Sequence, residues 1–139
     1  MQRIQPLQPD RRWASLALLI VNDRAMIEYN RTCFGKNEPT DVISLAYDPL
    51  PGEAEGAAGE VIVNLDCARR EGPQHGGASR ELAFYIAHGC HHLTGATDDT
   101  DARRAAMHAE ELRWLDEAAA AGLPLAHLLR QESATPCHP

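Results

Sequence analysis

Two features are scarce in this 139-residue chain: cysteines at paired spacings and long apolar runs. The four cysteines, Cys33, Cys67, Cys90 and Cys137, form no CxxC. That spacing excludes a zinc ribbon, a thioredoxin-type redox centre and a disulfide-stapled scaffold. The longest apolar run, residues 16–21, is far too short to span a bilayer, and residues 1–13 are polar with no secretory leader. Positive charge is short as well. The net charge is −7 with histidine neutral, so no global basic field draws the chain to nucleic acid. A bound cation or a local arginine cluster can still act inside an acidic protein, because pocket chemistry follows local charge. The expectation is a soluble, cytoplasmic protein with free thiols and no membrane partner.

What is present is ordinary for a globular domain: 44% hydrophobic and 24% charged residues, in a chain long enough to bury a core. No repeat, coiled coil or linker interrupts it. Residues 15–21 read as a strand buried on both faces. Asn22 or Asp23 caps a helix over residues 24–33 that Gly35 ends. A polar turn leads to a second strand at 42–47. Residues 48–59, rich in Pro, Gly, Ala and Glu, read as a loop before a third strand at 60–65. Asp66 caps a short helix that Gly72 and Pro73 terminate, and Ser79 caps the next. A last helix over residues 102–120, opened by Thr100 or Asp101, carries Met107, Trp114, Leu115 and Ala118 as one apolar stripe. The order implies a single α+β domain at residues 15–122: a small mixed sheet with helices packed on it. An irregular segment, 1–14, precedes it, and a tail, 123–139, holds one helical turn around Leu128.

The chemistry concentrates in His88-Gly-Cys-His-His92-Leu-Thr-Gly95-Ala-Thr-Asp98. The segment before it, residues 81–87, is apolar on nearly every side and reads as a buried helix, so a metal site would stand at a buried helix end. His88 and His92 stand four apart and project from one helix face, where two imidazoles can share an ion. Gly95 stops the helix, and the chain can fold back to bring Asp98 to the same ion. Asp99 competes for that third place. The spacings also fit HExxHxxGxxH zinc proteases, but Gly89 stands where that motif needs its glutamate base. His91 lies one position off the metal-facing side, Cys90 reads as a small packing residue, and His75, His108, His127 and His138 read as solvated.

This stretch resembles the HGxLHLxGYDH signature of the YbeY family of metal-dependent endoribonucleases. Residues 30–45, Asn-Arg-Thr-Cys-Phe-Gly-Lys-Asn-Glu-Pro-Thr-Asp-Val-Ile-Ser-Leu, resemble that family's LNxxYRxxDxPTDVLSF, and residues 59–63 are similar to its GDIVI strand. Met107 and Glu110 fall where its last helix carries Met and Glu. The resemblance implies one zinc ion held by His88, His92 and Asp98, with Asp98 at a position where the family more often has histidine. It implies hydrolysis of single-stranded RNA in rRNA maturation, with precursor rRNA and the small ribosomal subunit as partners and no nucleotide cofactor. The family arginine that would clamp phosphate falls at Phe34. Arg31 or Lys36 would have to take its place, with Thr40 and Ser44 as further RNA contacts. The alternative is a ribosome-associated metal-binding domain with impaired catalysis. Family members usually carry a strand and a long helix ahead of the strand at 16–21. The 14 residues here point to a start codon placed too late or to a pared-down paralogue.

Overall fold

The computed structural model describes residues 12–53 and 55–123. In order, the chain forms β1 (Trp13–Val21), α1 (Asp23–Phe34), β2 (Val42–Tyr47), β3 (Ala57–Asn64), α2 (Leu65–Glu71), α3 (Ala78–Leu93) and α4 (Asp101–Ala120), with a 3-10 turn at Gly72–Gln74. The sheet is mixed, in the order β1-β3-β2, with β1 parallel and β2 antiparallel to β3. This is the expected α+β architecture.

Alternation along β2 and β3 divides the core. Ile43, Leu45 and Ile62 bury against Met26 of α1. Ala46, Val61 and Val63 bury on the other face against Leu82, Tyr85 and Leu93 of α3. The sheet is thus held between α1 and α3. Each fully buried aliphatic side chain contributes about 1.5–3 kcal/mol of transfer free energy.

Position in the sheet overturns one expectation. Among the described residues β1 is an edge strand, and Leu16, Leu18 and Ile20 are 55%, 48% and 50% exposed rather than buried on both faces. The continuously buried strand is β3, where residues 61–64 are all buried. β3 also starts earlier than its composition suggests. Ala57 and Gly59 look like loop residues, but Trp13, Leu16 and Leu93 close over Gly59 so tightly that a Cβ there would stand 3.0–3.3 Å from them.

Helix caps explain most boundaries. The Asn22 side chain accepts from the Ala25 amide, and Gly35 ends α1 with φ 70°. α2 is capped by Asn64, which accepts from the Cys67 amide, and not by Asp66, whose carboxylate accepts from the Asp23 amide instead. The fully buried Asn64 also donates to Asp23 Oδ1 (2.7 Å) and to the Thr40 carbonyl (3.2 Å), so both polar atoms of its side chain are engaged. α3 begins after Gly77 without a side-chain cap, and Ser79 lies buried inside it. α4 is capped by Thr100. The tail around Leu128 lies outside the described residues, as do His127, His138, Cys137 and most of the segment 1–14.

Candidate metal centre

The site is built by the last two turns of α3 and the turn that follows. Gly89 sets how deeply that helix seats. A Cβ on it would lie 2.6 Å from Val61 Cγ1, 2.9 Å from Ser44 Oγ and 3.0 Å from Val42 Cγ2. Glycine therefore lets α3 press onto β2 and β3, and Ser44 Oγ donates to the Gly89 carbonyl at 2.9 Å. Position 89 faces the sheet.

On another side of the helix, His88 Nε2 and His92 Nε2 stand 3.1 Å apart, with their rings nearly perpendicular. Asp98 Oδ2 lies 3.6 Å from His92 Nε2 and 3.9 Å from His88 Nε2. These three residues form a group whose ligand atoms all lie within 4.8 Å of one another. Three donors sharing one zinc-type ion at about 2.0–2.2 Å in tetrahedral geometry would stand about 3.3 Å apart. The observed triangle brackets that value, so the residues fit a metal ion.

Ring hydrogen bonding supports the same conclusion. His92 Nδ1 lies 3.0 Å from the Ala96 carbonyl, and His88 Nδ1 lies 2.8 and 3.1 Å from the two oxygens of Glu111. Carbonyl and carboxylate oxygens only accept, so both rings carry hydrogen on Nδ1 and present an Nε2 lone pair. Two lone pairs 3.1 Å apart repel unless they share a positive charge, whether a proton or a metal ion.

Asp99, the neighbouring carboxylate, faces Arg103 at 2.9 and 3.1 Å and not the histidines. The Arg103 hydrogen bond holds its pKa below the ordinary aspartate value. Two participants escaped sequence reasoning. Glu111 is fully buried, whereas Glu110, the acid matched by family register, lies outward and pairs with Arg113. His91 stays out of the Nε2 cluster, but its Nδ1 meets Glu111 Oε2 at 2.7 Å. One signal was available: Met107, Glu111 and Leu115 recur every four residues, which puts a glutamate in the middle of an apolar stripe.

Beside the cluster opens a cavity of about 550 Å³, lined by Phe34, Asp41, Val42, Ile43, Ser44, His88, His92 and residues 96–99. Among the described residues, no lysine or arginine lines it. Arg31 pairs with Glu28 on the exposed side of α1, and Lys36 is exposed on the following loop. Thr40 lies beside Asp41, its hydroxyl 3.3 Å from the Asp41 carboxylate, in a separate depression with Asn64 and Tyr85. Of the expected RNA-contacting residues, Ser44 lines the cavity and Thr40, Arg31 and Lys36 do not. Among the described residues no helix is long and apolar enough to cross a membrane.

The chain as a whole is similar to known proteins. The chain is similar to a Myxococcus xanthus protein named endoribonuclease YbeY, with 38% identity over 102 residues, covering 70% of this chain and 35% of that relative. A Moorella thermoacetica protein of the same name is 36% identical over 107 residues, covering 70% of this chain and 69% of its own. The solution structure of a Thermotoga maritima protein shares the fold, with a TM-score of 0.52 and 19% identity over 88% of this chain and 78% of that one. The family model for endoribonuclease YbeY matches residues 2–119, and the chain belongs to that family.

Proposed function

We propose that this protein is a metal-dependent endoribonuclease that hydrolyses single-stranded RNA during rRNA maturation, working on the small ribosomal subunit in the cytoplasm with one zinc ion per chain. The observation that carries this reading is the convergence of His88, His92 and Asp98 beside an open cavity, in a chain of this family. Bound there, such an ion would polarise a phosphate oxygen and make a water molecule more acidic.

The chain's own residues supply orientation. His88 and His92 are held by hydrogen bonds at Nδ1, so their Nε2 atoms face one point. Asp98, 42% exposed, leaves that point open toward solvent and substrate. The cavity wall carries Asp41, Asp98 and Asp99, so an anionic RNA strand meets a favourable potential there only when positive charge is present. We assign phosphate contacts outside the wall to Arg31 and Lys36. Arg31 would exchange Glu28 for phosphate at little cost, because exposed ion pairs are worth about 0–1 kcal/mol. Ser44 donates its proton to Gly89 and keeps lone pairs for an RNA hydroxyl, and Thr40 extends the track past Asp41.

The test is cleavage of a labelled single-stranded RNA by zinc-loaded protein, with a chelator and His88→Ala as controls. Cleavage abolished by both supports the nuclease. A second reading draws on Phe34, which lines the cavity where the family arginine would stand. No cleavage, with one ion still bound per chain, would make the protein a metal-binding domain that has lost its phosphate clamp. A zinc protease has no support here, since Gly89 carries no side chain and faces the sheet.

A further inference from the structure

We infer that Glu111 is the positioning residue of the metal site, and that His91 is the second donor that satisfies its carboxylate. The inference rests on the metal reading above. Glu111 projects from α4, has no solvent exposure, and lies between two imidazoles three residues apart on α3. It accepts from His88 Nδ1 at 2.8 and 3.1 Å and from His91 Nδ1 at 2.7 Å. A buried carboxylate without donors is strongly disfavoured, and here the donors come from imidazole rings on the neighbouring helix. His91 is held from its other side by Trp114, one turn beyond Glu111, with ring centroids 4.6 Å apart.

The two contacts differ in consequence. The bond to His88 fixes a ligand: it selects the Nδ1–H tautomer, aims Nε2 at His92 and Asp98, and makes that nitrogen a better donor. A carboxylate behind a ligating imidazole typically accounts for about 10–100-fold in metal affinity. The bond to His91 completes the carboxylate's hydrogen bonding and ties α4 to α3, but His91 Nε2 takes no part in the cluster. The metal site therefore spans two helices through one buried side chain.

Zinc affinity measured by competition with a chromophoric chelator, together with the cobalt(II) visible spectrum, separates these roles. Glu111→Gln keeps the shape of the side chain but offers a single acceptor oxygen, so affinity should fall about 10–100-fold, with an altered cobalt spectrum. His91→Leu should leave affinity close to wild type while lowering the urea midpoint. Wild-type affinity in Glu111→Gln would overturn the inference, and so would an equal loss in His91→Leu, which would mark Glu111 as helix packing only. Should Glu111→Gln fail to fold, nitrogen NMR of the zinc-loaded wild type decides. A slowly exchanging His88 Nδ1 proton is expected, and its absence refutes the tautomer assignment. A wild-type chain that binds no ion would instead defeat the metal reading itself.

Discussion

Replacing Gly89 with alanine tests how the site is seated. The added methyl would lie 2.6 Å from Val61 Cγ1, whereas carbon atoms in contact normally sit about 3.5–4.0 Å apart. Val61 is 1% exposed on the central strand and cannot swing away, so α3 must lift from the sheet by about 1 Å. Overpacking of this kind costs about 1–3 kcal/mol. Lifting the helix also stretches the Ser44–Gly89 hydrogen bond, worth about 1 kcal/mol. Against this, alanine gains about 1 kcal/mol over glycine in a helix interior. The net expectation is a loss of about 1–3 kcal/mol, read from urea unfolding of the metal-free protein, with Tm lower by roughly 3–10 °C. Zinc affinity should change less than in Glu111→Gln, because the ligands and α4 travel with α3. A Gly89→Ala protein as stable as wild type, or more stable, would refute the close-approach argument and leave Gly89 without a structural reason.

Three further outcomes follow from the same geometry. Phe34→Arg returns a cation to the cavity wall, and zinc-dependent RNA cleavage should rise at least tenfold; stabilising donors at developing charge are worth about 10²–10³, and an unchanged rate would place phosphate away from position 34. The Asp23 carboxylate is held below the ordinary aspartate pKa by hydrogen bonds from Arg70 and Asn64. Its contribution to stability is therefore complete above the ordinary value of 3.8 and is lost as pH falls through the lower folded value, so acidification should erase the difference in urea midpoint between wild type and Asp23→Asn. Leu18→Ala on the half-exposed edge strand should cost under about 1 kcal/mol, whereas Ile62→Ala on the central strand should cost about 2–5 kcal/mol; equal costs would show that β1's outer face is covered in solution.

Local rules carried much of the chain. Helix α1 sits between an asparagine cap and a left-handed glycine, and β2 occupies the very residues, 42–47, that its Val-Ile-Ser-Leu-Ala-Tyr segment marks out, because cap geometry and side-chain alternation act over a few residues. They failed where partners come from elsewhere. Asp66 looked like a cap but turned to the Asp23 amide, 43 residues away in sequence, while Asn64 took the cap. Residues 57–59 looked like loop because alanine and glycine have little strand preference; Trp13 and Leu16 on the neighbouring strand select small residues there.

By itself the sequence determined the α+β element order and the face shared by His88 and His92, since a spacing of four fixes direction on any helix. It also carried the family likeness. Tertiary structure decided that β1 is an edge, that Asp98 and not Asp99 turns toward the histidines, and that Glu111 rather than Glu110 lies behind His88. Neighbouring acids have nearly the same local preferences. Only the packing of α4 on α3 and the path of the turn between them turn one acid toward the histidines and leave its neighbour on the surface beside an arginine.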